Sequence, residues 1–159
     1  MIPRVPKIAV PGSSPTYSVV GDYYTFLATG EDTNGRYAFF EAAVFPGGGP
    51  PPHIHSREEE GFYVIDGEVA FYVNGNRQAV GPGTMLNVPV GTLHWFKNET
   101  DRPAKMLIWA APAGIEKMFQ EVGTLVADSS AAPSPPSPAD IEKIMAVAPK
   151  YGIEIRVPH

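Results

Sequence analysis

Short hydrophobic runs follow one another along this chain, and β-branched and aromatic side chains dominate them. Turn-forming residues separate the runs, since the chain holds eighteen prolines and sixteen glycines. Short β-branched and aromatic runs bounded by such residues predict strands. We therefore expect an all-β fold, a sandwich or a small barrel, with strands in the runs 17–29, 37–45, 60–66, 68–73, 77–80, 84–88, 93–97 and 104–111.

One turn of this fold is specified in detail by its residues. Asn74 and Gly75 lie between the run that ends at Val73 and the run that begins at Arg77. An Asn-Gly pair accepts the positive φ angles of a two-residue turn, so it predicts a tight β-hairpin here. No internal repeat is visible in the sequence, and we therefore expect one barrel and not a duplicated one.

Beyond Pro112 the hydrophobic pattern becomes helical. Apolar residues recur three and four positions apart, the spacing of one helical face, at Ile115, Met118, Phe119 and Val122 and again at Ile141, Ile144, Met145 and Ala148. A proline-rich connector, residues 128–138, separates the two predicted helices and is expected to be stiff and solvated. In the final tail, the alternation of Ile153, Ile155 and Val157 predicts a strand, or an arm that packs on a neighbour.

These patterns divide the chain into three parts. Residues 1–16 form an N-terminal arm, residues 17–112 the β-barrel, and residues 113–159 a C-terminal helical extension and tail. A chain of 159 residues is long enough for one domain with a real hydrophobic core. We expect the extension to cover the barrel and not to form a second domain.

Composition and charge exclude several classes of function. The formal net charge of -5 and the lack of a basic stripe argue against binding to nucleic-acid phosphates. The absence of cysteine excludes disulfides, thiolate metal sites and cysteine nucleophiles. No apolar run reaches the roughly 18 residues of a spanning helix, and the proline-broken N-terminus lacks the apolar core of a secretion signal. We expect a cytoplasmic protein without a nucleic-acid or membrane partner.

Three of the four histidines lie in two short blocks that also hold a glutamate. If His53 and His55 lie on one strand they face the same side, with Cα atoms about 6.6 Å apart. Glu60 follows five residues later, and His94 must approach from a distant segment. Taken singly, each histidine is more simply a surface, cleft or core residue. Together, three imidazoles and a carboxylate suit one divalent transition metal ion, namely Fe, Mn, Ni, Co, Cu or Zn, and not Ca or Mg.

Two further carboxylates adjoin Glu60 in the first block. Glu59 would take its place as a ligand if the chain turned one residue early. The simpler interpretation is that Glu58 and Glu59 are solvated charges at the rim of the site, and this is the prediction that we adopt.

The spacing within both blocks carries more information than any single residue. The pattern G-x5-H-x-H-x4-E-x6-G runs from Gly47 to Gly67, and G-x5-P-x-G-x2-H-x3-N runs from Gly83 to Asn98. In these two motifs the chain resembles the cupin superfamily, over roughly residues 17–112. The resemblance implies a double-stranded β-helix, the jelly-roll barrel of cupins, with a metal ion inside it. It implies that this ion is bound by His53, His55, Glu60 and His94.

Strand parity predicts the surroundings of the metal. Phe62 and Val64 share the inward face with Glu60, and Phe96 shares it with His94, so these three residues are predicted to line the substrate pocket. Parity does not decide whether Phe45 and Trp109 also line the pocket, because the inward positions of their strands are uncertain. The expected pocket is largely apolar and suits a small organic or aromatic substrate. No basic group is identified at an inward position.

Single-barrel cupins with all four ligands often resemble quercetin dioxygenases. That likeness implies a metal-dependent dioxygenase for a small aromatic or enol substrate, in which Glu60 is both a ligand and the general base. Two alternatives stay open: a metal-dependent isomerase or lyase acting on a small acid or sugar, and a non-catalytic binder. Arg36, Arg57 or Arg77 pointing into the barrel would favour the isomerase or lyase, because an acidic substrate needs a cation.

The opposite face of the strand that holds Glu60 is also apolar. Tyr63 and Ile65 lie there and need cover, either from the C-terminal helices or from a second subunit. Cupins commonly pair through sheet faces, and the resemblance therefore implies a homodimer.

Overall fold

Two antiparallel β-sheets pack against each other in the computed structural model, which describes residues 4–156. One sheet has seven strands in the order β11-β1-β2-β3-β10-β5-β8, and the other has five in the order β12-β4-β9-β6-β7. The strands are β1 (Thr16–Val19), β2 (Asp22–Ala28), β3 (Ala38–Val44), β4 (His53–His55), β5 (Glu59–Asp66), β6 (Val69–Val73), β7 (Asn76–Val80), β8 (Met85–Val88), β9 (His94–Lys97), β10 (Ala104–Ala111), β11 (Thr124–Leu125) and β12 (Ile153–Ile155). The predicted all-β jelly-roll with short C-terminal helices is confirmed.

Alternating side chains on the central strands build the core. In β3, Phe40 and Val44 are buried on the inner face, and their neighbours along the strand are less buried. The antiparallel register of β3 with β10 places Ile108 opposite Phe40. Phe62 of the seven-stranded sheet meets Phe71 of the five-stranded sheet at a ring-centroid distance of 5.2 Å. Every second side chain of a strand points to the same face of the sheet. The alternation of apolar residues along each strand therefore explains which side chains enter the core.

The predicted hairpin at Asn74 and Gly75 is present. Val73 pairs with Asn76 across β6 and β7, and the two turn residues have φ angles of 49° and 84°. Another turn was not predicted, because residues 17–29 were interpreted as one run. Val20 and Gly21 adopt positive φ and divide this run into the hairpin of β1 and β2. Valine rarely adopts that conformation, so only Gly21 suggested the turn.

Within the described part of the chain, three short α-helices accompany the barrel: α1 (Gly30–Thr33), α2 (Ile115–Val122) and α3 (Pro138–Val147), and a 3-10 turn (Ala148–Tyr151) extends α3. The predicted face of α2 is buried at Ile115, Met118 and Phe119 and partly buried at Val122, and Phe119 packs on Tyr24 with ring centroids 4.6 Å apart. The predicted face of α3 is narrower than expected, since Ile141 and Met145 are exposed while Ile144 is buried. None of these helices is long and apolar enough to cross a membrane.

Parts of the predicted C-terminal extension join the sheets themselves. Strand β11 pairs with β1, and β12 pairs with β4 at the edge of the five-stranded sheet. The alternation of Ile153 and Ile155 therefore corresponds to a real strand, while Val157 lies outside the described residues. The proline-rich connector runs beside the first hairpin, where the hydroxyl of Tyr23 donates a hydrogen bond to the carbonyl oxygen of Ala131.

Candidate metal centre

The structure brings the four predicted metal ligands together from three strands. His53 and His55 lie on β4, His94 lies on β9, and Glu60 reaches across from β5 in the other sheet. The register of β4 with β9 places His53 directly opposite His94. One ligand atom from each of the four residues lies within 4.8 Å of all the others. His55, Glu60 and His94 are buried, and His53 is the least buried of the four.

Local structure explains how β4 and β9 present these side chains. The prolines before His53 hold the approach extended, because each proline restricts its own φ and its predecessor's conformation. Gly49 lies against the carbonyl oxygen of Phe96 with φ of 132°, and a Cβ atom there would collide with that oxygen. Gly91 turns the chain before β9, and its backbone N–H donates to the carbonyl oxygen of His55 at 2.9 Å. The two motifs are therefore joined by backbone contacts as well as by the ligands.

Each histidine ring is oriented by an acceptor at its Nδ1 atom. In His53 this atom lies 2.8 Å from the carbonyl oxygen of Pro51, and in His94 it lies 2.9 Å from that of Thr92. Carbonyl oxygens only accept, so Nδ1 carries the proton in both rings. In His55 the acceptor is a carboxylate, Oε2 of Glu58, at 3.1 Å. All three Nε2 atoms are thereby left for a ligand.

The pKa values of His53, His55 and Glu60 are strongly shifted within the cluster. Burial by itself lowers the pKa of His55, but the carboxylates of Glu60 and Glu58 outweigh it and raise that pKa to about 9. Burial alone would raise the pKa of Glu60, yet His55 and His94 beside it hold that pKa far below its usual range. Burial and the neighbouring His94 lower the pKa of His53 to about 3. Without a metal ion, the cluster therefore holds an ion pair between His55 and Glu60.

The residues of the cluster fit a divalent transition metal ion. Nε2 of His55 is buried and makes no well-aligned hydrogen bond, although it lies 2.6 Å from Oε1 of Glu60, its partner in the ion pair. A buried polar atom without a partner is costly, and a coordinated ion would satisfy it. Three imidazole nitrogens and one carboxylate oxygen are the donor set that such ions prefer. His53, His55, Glu60 and His94 would hold the ion, and its identity is not specified by these donors.

A small, mostly apolar cavity of about 60 Å³ adjoins the cluster. Phe62 and Phe96 line it, as predicted from strand parity, whereas Val64 does not. Val64 lies two residues farther along β5, where it pairs with Met106 and is buried within the packed core. Phe45 and Trp109 also lie outside the cavity wall. The C-terminal segments close the remaining side, contributing Ile115, Met118, Phe119, Ile144 and Ile153.

Within residues 4–156, no lysine or arginine lines this cavity. Arg36, Arg57 and Arg77 are all exposed, and Arg77 pairs with Glu99 on the surface at 3.1 Å. None of these three arginines therefore points into the barrel, as the isomerase or lyase interpretation would require.

Two buried carboxyl groups of the site were missed in the sequence. Glu58 was predicted to be a solvated rim charge, but its side chain is only 4% exposed because it turns inward to His55. Asp22 lies on the cavity wall and accepts a hydrogen bond from the backbone N–H of Phe45 at 3.1 Å. Burial raises the pKa of Asp22 to about 7. Asp22 follows Gly21 and so looks like a turn residue, and only its place within an otherwise apolar run hinted at burial.

Comparison with known proteins agrees with this geometry. Residues 40–110 match the family model of the cupin domain. The resemblance to the cupin superfamily is thus confirmed over this part of the chain. An RmlC-like cupin from Shewanella frigidimarina has the same fold, with a TM-score of 0.62 and 16% identity over 72% of this chain and 97% of that chain.

Two curated relatives share part of this sequence. Quercetin 2,3-dioxygenase of Bacillus subtilis is 24% identical over 120 residues, which cover 76% of this chain and 35% of that protein. Germin-like protein 1-1 of Oryza sativa subsp. japonica is 32% identical over 101 residues, which cover 60% of this chain and 44% of that protein. The matches therefore span less than half of either relative.

Proposed function

We propose that this protein is a metal-dependent dioxygenase acting on a small aromatic or enol substrate. The observation that carries the proposal is the convergence of three histidines and one glutamate beside a mainly apolar cavity. The partial similarity to quercetin 2,3-dioxygenase supports the type of reaction. Other cupins act differently, so the fold by itself does not select this activity.

The proposed chemistry divides between the ion and the chain. A bound transition metal would supply a Lewis-acidic centre with positions open to a substrate oxygen and to O2. Glu60 would hold the ion and accept the proton of a substrate hydroxyl group. The contacts of Glu60 with His55 and His94 use its Oε1 atom, which leaves Oε2 as the oxygen for the proton. The apolar wall would exclude bulk water from the reacting oxygen atoms.

Cavity size and lining restrict the proposed substrate. A water molecule needs roughly 10–15 Å³ of such space, so a cavity of about 60 Å³ has room for roughly four to six water-sized groups. A three-ring flavonol would enter only if the C-terminal cover moved. A monocyclic or open-chain enol with one or two oxygen atoms is the better match. An isomerase or lyase for an acidic substrate is less well supported, because no lysine or arginine of the described residues lines the cavity.

The test is metal-dependent oxygen uptake. The metal-free protein is loaded separately with Fe, Mn, Co, Ni, Cu and Zn, and O2 consumption is followed with catechols, enols and flavonols. We expect uptake with at least one metal, and a rate on the order of 100-fold lower for Glu60→Gln, the size of effect expected for loss of a general base. Glu59→Gln is the matched control, since Glu59 is exposed beside the site.

Three outcomes separate the proposed function from its alternatives. Conversion of a substrate under nitrogen would overturn the dioxygenase in favour of an isomerase or lyase. Tight retention of a small molecule without turnover by any metal form would favour a non-catalytic binder. Equal rates for Glu60→Gln and the wild type would contradict the role of Glu60 as base.

We also propose that the protein forms a homodimer through the outer face of its seven-stranded sheet. Tyr63, Ile65 and Met85 are each at least 40% exposed. Tyr63 lies opposite Met85 in the register of β5 with β8, so both belong to the same surface. An apolar surface of this kind is typical of a protein interface.

A further inference from the structure

We propose that Glu58 is a positioning residue of the metal centre, acting through His55. Its carboxylate would hold the Nδ1 proton of His55, so that Nε2 faces the ion, and would add a negative charge next to the ligand shell. This inference rests on the proposed metal site, but it concerns a residue that is not one of the four ligands.

The position of Glu58 within the fold supports this role. Glu58 lies between β4 and β5, and its side chain is 4% exposed while that of His55 is 3% exposed. Glutamate is almost never buried to this extent unless it is paired. Among the described residues, its only hydrogen-bond partner is Nδ1 of His55, at 3.1 Å. The energetic cost of burying this carboxylate is therefore offset mainly at His55.

The three histidines differ in their outer partners. The Nδ1 atoms of His53 and His94 face neutral backbone carbonyls, and only that of His55 faces a carboxylate. A carboxylate partner makes an imidazole a stronger donor to a metal ion than a carbonyl does, and it restricts the rotation of the ring. His55 is therefore the ligand whose donor strength is set by a neighbouring charge.

The charge of the occupied site supports the same conclusion. A divalent ion with Glu60 as its one anionic ligand leaves one positive charge in a buried environment. The carboxylate of Glu58, one side chain farther out, neutralises this charge. An uncompensated buried charge is strongly unfavourable, so loss of Glu58 should weaken binding of the ion even when all four ligands remain.

The chain offers a matched control in the adjacent residue. Glu59 has the same side chain but points outward, where its Oε1 atom accepts a hydrogen bond from Nδ2 of Asn87 at 3.2 Å. Substitutions at Glu58 and Glu59 change the net charge of the protein equally. Only a substitution at Glu58 changes the partner of a ligand.

The experiment is a Co²⁺ titration of the metal-free wild type, Glu58→Ala, Glu58→Gln and Glu59→Gln, followed by visible absorption and by competition with a chelator. We expect Glu58→Ala to bind Co²⁺ on the order of 10–100-fold more weakly, as for other outer-sphere partners. Glu58→Gln keeps an acceptor without the charge, so we expect the wild-type absorption spectrum with an affinity between those of the wild type and Glu58→Ala. Glu59→Gln should match the wild type in both measurements.

The outcomes distinguish this inference from the proposed function. If both Glu58 variants bind Co²⁺ as tightly as the wild type, the inference is overturned and the metal site stands. A wild type that binds no Co²⁺ overturns both. Should Glu58→Ala fail to fold, Glu58→Gln decides: reduced affinity with an unchanged spectrum supports the positioning role, and wild-type affinity overturns it.

Discussion

Ile153 lies opposite His55 in the antiparallel pairing of β12 with β4. A strand from near the C-terminal end thus covers the edge of the strand that provides two predicted metal ligands. Two backbone hydrogen bonds extend the pairing beyond the ends of the strands. The N–H of Ser56 donates to the carbonyl oxygen of Gly152, and the N–H of Arg156 donates to the carbonyl oxygen of Pro52. The C-terminal segment is therefore part of the site as well as a cover for the barrel.

The first prediction concerns this C-terminal strand. Ile153→Ala removes a buried side chain that lines the cavity, and we expect it to lower the free energy of unfolding by about 2–5 kcal/mol. Release of bound metal should also become faster, because β4 loses packing at its edge. Chemical denaturation and metal release to a chelator measure the two effects.

The matched control for this prediction is Ile141→Ala. Ile141 belongs to the same C-terminal region but is 37% exposed. Its substitution should change the free energy of unfolding by no more than about 0.5 kcal/mol. Equal effects at Ile141 and Ile153 would contradict a specific contribution of β12 to the site.

The second prediction is that metal binding releases a proton. Because the pKa of His55 is raised to about 9 in the metal-free protein, this ring is protonated at pH 7.5. Coordination requires the neutral ring, so binding should release about one proton at this pH and almost none above about pH 10. Calorimetric titration in two buffers of different ionisation enthalpy measures the number released. A value near zero at pH 7.5 would contradict the ion pair between His55 and Glu60.

The stability of the metal-free protein should follow the same titration. A raised histidine pKa stabilises the folded state below the unfolded value of about 6.5, and the contribution is lost as the pH rises through about 9. The melting temperature of the metal-free protein should therefore fall between pH 6.5 and 9. Over the same range, the increase in melting temperature on adding metal should become larger.

The third prediction concerns Asp22, whose pKa is raised to about 7 by burial. The folded protein keeps this proton more tightly than the unfolded chain, so this carboxyl group makes the protein less stable as the pH rises from about 4 to about 7. Asp22→Asn removes the titration, and the amide oxygen still accepts from the N–H of Phe45. In chemical denaturation, the free energy of unfolding of the variant minus that of the wild type should be larger at pH 8 than at pH 5. An equal difference at both values would contradict the raised pKa.

The fourth prediction tests the proposed homodimer. Ile65→Glu places a charge on the apolar outer face formed with Tyr63 and Met85, so the variant should sediment as a monomer while the wild type sediments as a dimer. Val90→Glu adds the same charge at another exposed apolar residue, on the loop before β9. This control should remain dimeric. A wild type that is monomeric at high concentration would refute the proposed interface.

Several predictions from the sequence depended only on local patterns, and these agree with the structure. The spacing of the two motifs identified His53, His55, Glu60 and His94 as a cluster, and the structure places their ligand atoms together. The Asn74-Gly75 turn was also evident, because its conformation depends on those two residues themselves. Strand parity correctly placed Phe62 and Phe96 at the cavity.

The extent of the cavity along β5 could not be inferred from local patterns. Parity assigned Val64 to the same inward face as Phe62, which is correct, since Val64 is only 1% exposed. Parity does not tell where along the strand the cavity ends and solid packing begins. That limit is set by side chains from other strands, such as Met106 opposite Val64.

The sequence by itself indicated the all-β class, most of the strands and the resemblance in the two motifs, because the period of two and the spacing within each motif are properties of nearby residues. Only the tertiary structure decided which of three consecutive glutamates face inward, that Asp22 is buried, and that Ile153 pairs beside His55. Each of these features depends on burial or on contact between segments far apart in the chain. The water and charge around a side chain are set by everything that packs on it, and no local pattern contains that information.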